Sequence, residues 1–389
     1  MNMPLNVVLL NVGRVIQAKG GAEKVFCEMA NALAERGMNV HAVCCEDKEG
    51  LPGYPLHDSV HFINAGNRPS PWFDKGWIAR MRALMTLSRK ARRSTRAKIL
   101  CRKQAIQLKG ILTSLQADVI VAFQPEASFI IKSLLRLQVP VAAVFHNAVE
   151  RFTGAPEFDI FRNSVLQSSV LTVLMPEYRE EARRALPGLR VEYIPNAISA
   201  IDKQADLLNP IVITVGRADA QKRHLLLVEA FERLKDDFPE WTLEIWGETQ
   251  ARYGQVVLRE VEHRGLKKVI QHCGTTNRVD DQLLRASIFA FPSAYEGFSL
   301  ALGEAMSAGL PAVGCTDCPS VNTLIRSGEN GLLTEPTAEA FAEGLTKLME
   351  DRELRVRLGR QARNDMKKYA PKEIWAQWEA LLNEIAREG

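Results

Sequence analysis

Residues 293–313 read SAYEGFSLALGEAMSAGLPAV and follow the apolar segment SIFAF. The apolar segment is typical of a buried strand, and the leucines and alanines of the longer stretch follow a helical period. The pattern therefore predicts a strand, a turn and a helix, with Glu296 in the turn and Glu304 about one turn inside the helix. The backbone N–H groups of residues 297–300 would then lie at a helix N-terminus, where an anion can bind.

The two carboxylates of this stretch indicate which kind of ligand could bind beside that anion. Glu296 and Glu304 have seven residues between them, so they flank the predicted helix start. An ionised carboxylate only accepts hydrogen bonds, which suits the hydroxyl groups of a sugar better than a phosphate. Carboxylates that can accept hydrogen bonds from sugar hydroxyl groups, on either side of an anion site, predict a pocket for a sugar nucleotide.

A second polar cluster follows the apolar segment Ile211–Val215, which is also typical of a strand. Gly216 and Arg217 come directly after it, and Lys222 follows five residues later, before a helical pattern. Arginine makes planar two-point contacts with phosphate oxygens and lysine supplies a point charge, so the pair suits a diphosphate. The alternative is a solvated loop with surface cations. The Glu296 turn in the same half of the chain favours a binding site, because convergent polar groups mark such sites.

Two further groups follow apolar segments in the first half of the chain. Gly20 and Gly21 open a helical pattern, and glycine lets a ligand approach the backbone closely. Their surroundings match neither the G-x-G-x-x-G dinucleotide fingerprint nor a P-loop, so an ordinary helix start is the alternative. His146 and Asn147 follow the segment VAAVF, and a position at the carboxyl end of a strand favours a binding role over a structural one.

The bulk composition excludes several classes of protein. The chain has 389 residues, 46% of them hydrophobic, and a formal net charge of +4, which allows two domains and does not by itself indicate nucleic-acid binding. Seven cysteines without regular spacing favour a reducing compartment, and Cys315 and Cys318 lack the partners of a zinc site, so we expect no metal. We find neither a secretion-signal pattern nor an apolar run of membrane-spanning length, so we expect a cytoplasmic protein.

Short apolar segments alternate with helical patterns along the chain, which is typical of parallel sheets covered by helices on both faces. We therefore predict an α/β protein with two doubly wound, Rossmann-like domains that face each other across a cleft. The boundary is expected in segment 195–210, which has a proline at each end and no strand or helix period. An N-terminal domain then covers residues 1–200 and a C-terminal domain 201–368. The amphipathic segment 369–389 is expected to pack back on the N-terminal domain.

Residues 80–109 contain eleven basic residues and no acidic one, with leucines, isoleucines and methionines between them. A basic amphipathic segment is typical of a helix that binds an anionic membrane surface. A solvated helical face is the alternative, and nucleic acid is disfavoured because no nucleic-acid-binding module accompanies the charge. We therefore expect a membrane-surface contact through residues 72–109.

In this order and spacing, the motifs resemble those of the retaining family-4 glycosyltransferases of the GT-B fold, over nearly the whole chain. Gly216 and Arg217 with Lys222 are similar to the Gly-Arg…Lys signature of that family. The stretch EGFSLALGEAM, which begins at Glu296, is similar to its Glu-x7-Glu signature, although Ser299 replaces a frequent glycine. The sequence looks closest to bacterial members that build lipopolysaccharide, capsule and other surface glycans.

The resemblance implies a metal-independent hexosyltransferase that uses a nucleotide diphosphate sugar as donor, with a UDP-sugar favoured over a GDP-sugar, and no permanently bound cofactor. It implies that Arg217 and Lys222 hold the diphosphate and that Glu304 binds the ribose. It assigns Glu296 to the transferred sugar and places His146 near the reacting sugar and the acceptor. The other donor-binding residues on this reading are Gly20, Gly21, Gly297, Phe298, Ser299 and Leu300.

The basic segment 80–109 and the resemblance to surface-glycan members together imply that the acceptor is a lipid-linked saccharide at the inner face of the cell membrane. The implied mechanism is front-face: the leaving phosphate helps to deprotonate the attacking hydroxyl, so no protein nucleophile is required. Two alternatives stay open at this point. One is a GT-B-fold sugar-nucleotide epimerase, which needs no acceptor, and the other is a non-catalytic partner protein that binds a sugar nucleotide without turnover.

Overall fold

The computed structural model of the chain describes residues 4–66 and 89–388. The chain forms two compact units. The first unit comprises Met1–Asn196 and Lys372–Gly389, and the second comprises Ala197–Pro371. The chain therefore enters the second unit once, leaves it once and ends in the first.

The first unit is built on a parallel sheet. Its strands are β1 (Asn6–Asn11), β2 (Asn39–Cys44), β3 (His61–Asn64), β4 (Val119–Ala122), β5 (Val141–Phe145), β6 (Val170–Val173) and β7 (Val191–Tyr193). They pair in the order β3-β2-β1-β4-β5-β6-β7, and every pairing is parallel. Strands β4, β5 and β6 are buried along their whole length, as expected where helices cover both faces of a parallel sheet.

Helices connect these strands. They are α1 (Gly21–Glu35), α2 (Arg89–Ser114), α3 (Pro125–Ser128), α4 (Val149–Thr153), α5 (Phe158–Leu166) and α6 (Tyr178–Ala185), with a π-helical turn at Phe129–Leu134. Of the segment predicted to contact a membrane, positions 72–88 lie outside the described residues, and positions 89–109 belong to α2. No helix in the described part of the chain is long and apolar enough to cross a bilayer.

The second unit repeats the plan with six strands. They are β8 (Ile211–Val215), β9 (Thr242–Trp246), β10 (Ile270–Gly274), β11 (Ile288–Phe291), β12 (Ala312–Cys315) and β13 (Gly331–Thr334). Their order is β10-β9-β8-β11-β12-β13, again with parallel pairing throughout. The helices are α7 (His224–Leu234), α8 (Arg252–His263), α9 (Val279–Leu284), α10 (Leu300–Ser307), α11 (Pro319–Leu324), α12 (Ala338–Glu350) and α13 (Arg352–Met366), with 3-10 turns at Ala220–Lys222 and Lys367–Tyr369. The prediction of two doubly wound α/β sheets is confirmed.

The last helix, α14 (Pro371–Glu388), lies in the first unit except for its first residue. The apolar stripe of α14 is buried, including Trp375 and Trp378. Arg190, which precedes β7, donates two hydrogen bonds to the carboxylate of Glu384, with N–O distances of 2.8 and 3.0 Å. The end of the chain is thus tied to the first unit by apolar burial and by a two-point ion pair.

The segment predicted as a linker has neither helix nor strand, but it is packed rather than solvated. Leu207 is 1% exposed, and the N–H of Ala205 donates to the carbonyl of Ala308 at 2.9 Å. At the other end, the N–H of Ile198 donates to the carbonyl of Tyr369 at 2.8 Å. The apolar side chains of this segment pack on the second unit. The hydrogen bond between Ile198 and Tyr369 therefore brings together the points where the chain enters and leaves the second unit.

Candidate functional site

The strand order of the second sheet reverses between β8 and β11, which pair directly. Gly216 and Arg217 follow β8, and the turn that contains Glu296 follows β11. Because the strands are parallel, both loops begin at the same edge of the sheet. In open α/β sheets, ligands bind outside the carboxyl ends of the strands at such a reversal of strand order. The fold therefore brings together two motifs that are far apart in the sequence.

The side chains of Lys222 and Glu296 meet in this place. Lys222 Nζ lies 2.7 Å from Glu296 Oε1, and the two side chains are only 20% and 11% exposed. The same ammonium lies 4.8 Å from the centre of the Phe291 ring. A lysine has three N–H donors, so an ammonium with one carboxylate partner can also bind a phosphate oxygen. The contact therefore combines a cation suited to phosphate with a carboxylate suited to sugar hydroxyls.

The backbone at Lys222 is fixed by its neighbours in the 3-10 turn. Asp219 caps this turn, since its Oδ1 accepts a hydrogen bond from the N–H of Gln221 at 2.9 Å. The carbonyl of Gln221 accepts from the N–H of Ala294 at 2.9 Å, and its side-chain amide donates to the carbonyl of Tyr295 at 2.6 Å. Gln221 therefore ties the loop after β8 to the turn after β11. Nothing in the local sequence marks Gln221 as a site residue, because Tyr295, which its side chain binds, is 74 positions away.

Helix α10 begins at Leu300, and Ser299 is its N-cap. The hydroxyl of Ser299 accepts from the N–H of Leu302 at 3.3 Å, which accounts for a serine here in place of glycine. Residues 296–300 are buried, and no acceptor among the described residues takes the N–H groups of positions 297–300. Glu304 is half-buried one turn into the helix. The structure thus gives the predicted helix start with donors free for an anion.

Two glycines let the ends of β8 and β9 approach each other closely. Gly216 has φ +153° and Gly247 has φ +146°, which are positions that other residues rarely adopt. A Cβ atom on Gly247 would lie 2.0 Å from the carbonyl oxygen of Gly216. Arg217, which follows Gly216, is exposed and makes no ion pair within the ranges that the structure covers. Its guanidinium is therefore available to an anionic ligand.

His224 is a further residue near Lys222 that no sequence motif marks. It begins α7 two positions after Lys222 and is 1% exposed. Burial, and then the charge of Lys222, lower the pKa of His224 to about 4. His224 is therefore neutral at physiological pH and adds no charge to the cations of the site. A histidine close to Lys222 was the only sequence signal for a residue near the site. Because His224 lies in an apolar helical pattern, it looked like an ordinary core residue.

The first sheet also has a reversal of strand order, between β1 and β4. The loop that follows β1 leads to Gly20, the N-cap residue of α1, and to Gly21, its first residue. The N–H groups of Val15 and Ile16 in this loop both donate to the carboxylate of Glu46, at 2.5 and 2.8 Å. The predicted glycine loop is therefore held in a defined path at the switch point of the first unit.

His146 follows β5, next to β4 in the first sheet. Its ring stacks on that of Phe123, with 4.7 Å between the ring centres. Burial lowers the pKa of His146 to about 4, so the imidazole is neutral at physiological pH. Neither ring nitrogen has a hydrogen-bond partner among the residues described. A buried polar group without a partner is uncommon, so the two ring nitrogens of His146 are unsatisfied polar atoms that mark this position as unusual.

The predicted site residues thus fall into two groups. Gly20, Gly21 and His146 belong to the first unit, and the residues from Arg217 to Glu304 belong to the second.

Cys315 and Cys318 are buried thiols, and burial raises the pKa of Cys315 to about 12. The described residues include no group of three His, Cys, Asp or Glu side chains that could hold a metal ion.

Comparisons with known families cover both units. The profile of the family described as "Glycosyltransferase Family 4" matches residues 19–200. The profile of the family described as "Glycosyl transferases group 1" matches residues 200–365. The first match includes the glycine loop and His146, and the second includes every predicted site residue from Arg217 to Glu304.

Two curated relatives show the range of similarity. An exopolysaccharide phosphotransferase of Streptomyces coelicolor is 27% identical over 287 residues, which is 72% of this chain and 30% of the relative. An N-acetylgalactosamine-N,N'-diacetylbacillosaminyl-diphospho-undecaprenol 4-alpha-N-acetylgalactosaminyltransferase of Campylobacter jejuni is 34% identical over 151 residues, which is 38% of this chain and 40% of the relative. The chain therefore spans less than half the length of either relative.

Solved structures resemble the chain over nearly its whole length. The sucrose-phosphate synthase of Thermosynechococcus elongatus superposes with a TM-score of 0.81 at 17% identity, covering 99% of this chain and 100% of that one. The HepE protein of Anabaena, solved in complex with UDP-glucose, has a TM-score of 0.71 at 17% identity, covering 97% and 99%. At these identities the likeness concerns the fold.

Proposed function

Because this chain belongs to the family-4 glycosyltransferases of the GT-B fold, we propose that it transfers a sugar from a nucleotide diphosphate sugar to an acceptor hydroxyl, with retention of configuration. The proposal rests above all on the contact between Lys222 and Glu296. On the proposed function, the ammonium of this contact binds the diphosphate and the neighbouring carboxylate binds the transferred sugar. A sugar-nucleotide epimerase or a non-catalytic sugar-nucleotide-binding protein would use the same residues. Formation of a glycosylated acceptor distinguishes a transferase from both of these alternatives.

On this proposal, Lys222 and Arg217 bind the donor diphosphate together with the N–H groups of residues 297–300. Glu304 binds the ribose hydroxyls of the nucleotide, and Glu296 binds the transferred sugar. A UDP-sugar is the proposed donor, and the fold shared with an Anabaena protein that was solved with UDP-glucose supports this choice. The roles follow the charges: cations and amide donors face phosphate, and carboxylates face hydroxyl groups.

The proposed reaction has the acceptor oxygen form its bond to the anomeric carbon on the face from which the diphosphate leaves. The acceptor proton passes to the departing phosphate oxygen. Negative charge grows on the diphosphate as the glycosidic bond to it breaks. On this proposal, Lys222, the start of α10 and Arg217 stabilise that charge, and Lys222 lowers the barrier most because its contact with Glu296 fixes it before the reaction begins. On this proposal, neutral His146 of the first unit hydrogen-bonds to the acceptor.

We propose that the acceptor is a lipid-linked saccharide in the synthesis of a bacterial surface glycan. The Campylobacter relative is named for such an acceptor. In this chain, α2 presents exposed Arg92, Arg96 and Lys109, together with Leu100 and Ile106, which are 53% and 43% exposed. Basic residues around exposed apolar side chains suit the headgroup region of an anionic membrane, where they would hold the protein near a lipid-linked substrate.

A thermal-shift screen against a panel of UDP- and GDP-sugars tests the donor. The preferred donor should raise the unfolding temperature most, because a ligand at 100 times its Kd adds about 2.7 kcal/mol to the stability of the native state. The same compound should then be turned over when a saccharide acceptor is present. Stabilisation by none of the panel, or turnover to an isomer of the donor without acceptor, would contradict the proposal.

Vesicle flotation tests the membrane contact. The protein should float with vesicles that contain anionic lipid and stay behind with neutral ones. Replacing Leu100 and Ile106 together by serine should weaken binding about tenfold, because each half-exposed side chain loses part of its apolar burial. Leu51→Ser, at a position 74% exposed in the same unit but outside α2, is the matched control and should bind like the wild type. Equal binding to neutral vesicles would argue against the proposed surface.

A further inference from the structure

Arg223, directly after Lys222, combines an unfavourable backbone with an ordered side chain. Its φ and ψ are +49° and +40°, the left-handed region that costs free energy for residues with a side chain and favours glycine. A glycine would relieve this strain at no loss of backbone hydrogen bonds. Four other residues with side chains, in the part of the chain that the structure describes, also have positive φ, so the contacts of the Arg223 side chain, and not its backbone alone, must show whether it has a use.

That side chain makes a two-point ion pair with Asp317. The Nη1–Oδ1 distance is 2.8 Å and the Nη2–Oδ2 distance is 2.6 Å. The side chains are 27% and 37% exposed, so solvent screens the charges in part and the pair contributes little to stability. Paired planar groups nevertheless fix direction as well as distance. The geometry therefore suits alignment better than stabilisation.

Asp317 is itself part of a well-anchored loop. The loop joins β12 to α11, and β12 is the neighbour of β11, so it begins at the same sheet edge as the Glu296 turn. The N–H of Thr316 donates to the carbonyl of Thr334 at 2.9 Å. Its carbonyl accepts from the side-chain amide of Asn322 at 2.7 Å. Arg223 is thus bound to a fixed point on a third loop of the site.

Lys222 is consequently held from both sides. Gln221, before it, is hydrogen-bonded to the turn that contains Glu296, and Arg223, after it, is bound to Asp317. We propose that the Arg223–Asp317 pair is a positioning device that aligns Lys222 with Glu296 and with the donor diphosphate. The catalytic meaning of this inference rests on the proposed function, but the alignment itself concerns only this chain.

Kinetics with the preferred donor test the catalytic part. Arg223→Gly and Asp317→Asn should each lower kcat/KM by about tenfold to a hundredfold, because small displacements of a catalytic group have effects of that size. The double variant should be no worse than either single one, since the two side chains act as a unit. Arg223→Lys, which keeps the charge but loses the two-point geometry, should recover only part of the rate. None of these variants should unfold at a markedly lower temperature than the wild type, and Arg223→Gly should gain some stability from the relief of backbone strain.

An ion pair elsewhere in the same unit supplies the control. Arg233 on α7 pairs with Glu339 on α12, and both side chains are more exposed than those of Arg223 and Asp317. Glu339→Gln should leave kcat/KM unchanged. If Arg223→Gly keeps the full rate while Lys222→Ala is inactive, the positioning inference is wrong and the proposed function stands.

A crystal structure of Arg223→Gly separates the two ideas further. We expect Lys222 Nζ to leave hydrogen-bond distance of Glu296 in this variant, whereas the wild-type distance is 2.7 Å. An unchanged contact would overturn the inference even if no nucleotide sugar were ever turned over. Failure of the wild type to use any donor would instead overturn the proposed function, and the displacement of Lys222 would still be decided by the crystal.

Discussion

On the proposed function, replacing Lys222 by alanine is expected to lower kcat for sugar transfer by about 10²–10³-fold, the usual effect of removing one fixed donor from a developing anion. The ammonium is held 2.7 Å from Glu296 with only 20% of its side chain exposed. A fixed cation in a place with little water stabilises the leaving diphosphate more than a mobile surface cation could. Initial rates at saturating donor, with acceptor present, measure this loss directly.

The chain offers a matched control for that variant. Lys267 also pairs with a glutamate, Glu262, in the same unit, but the two side chains are 66% and 65% exposed. Lys267→Ala should keep the wild-type rate. Because Lys222→Ala removes the ammonium that contacts the buried carboxylate of Glu296, some loss of stability is expected as well, so rates are compared well below the unfolding temperature. A Lys222→Ala enzyme with more than half the wild-type kcat would show that the diphosphate is held elsewhere.

Replacing Gly247 by alanine is expected to destabilise the second unit by about 3 kcal/mol, the sum of an overpacked contact and a strained backbone. The added Cβ would lie 2.0 Å from the carbonyl oxygen of Gly216, and φ at this position is +146°. The ends of β8 and β9 would have to separate, which would also move Arg217. We expect the unfolding temperature to fall by roughly 6–12 °C for a unit of this size, and donor affinity to fall with it.

Gly265 allows the cost of a strained backbone to be measured apart from the cost of a steric clash. Gly265 has φ +67°, and a Cβ there would meet no atom within 4 Å. Gly265→Ala should therefore show the smaller cost of the backbone conformation alone, with donor affinity unchanged. Calorimetry on both variants and the wild type gives the comparison. Equal losses for the two glycines would mean that the close approach of the β8 and β9 ends is not a constraint on the fold.

Features that repeat along the sequence could be predicted from it. The alternation of apolar segments and helical patterns gave the two parallel sheets, because buried strands and amphipathic helices have periods that a sequence displays directly. The turn at Glu296 and the helix start at Leu300 were predicted for the same reason, as was the placing of Arg217 at a strand end. Local chemistry was sufficient for each of these.

Long-range hydrogen bonds could not be predicted. The bonds from Gln221 to the turn after β11, and from Arg223 to Asp317, join loops that only the sheet order brings together. Glutamine and arginine in a polar loop have no periodic pattern, so nothing local distinguishes them from solvated residues. The buried nitrogens of His146 are similar: the sequence predicted its place after a strand, but not that the ring would lack a partner.

The hydrogen bond between Ile198 and Tyr369 joins the two points where the second unit is entered and left. In its connectivity the second unit is therefore a self-contained insert: a closed loop of chain whose two ends meet, placed within the sequence of the first. Units whose ends are adjacent tolerate excision, circular permutation and replacement by a homologous segment. The second unit, which contains Lys222 and Glu296, could thus be exchanged as a whole during evolution. The first unit, which contains α2 and His146, would stay unchanged.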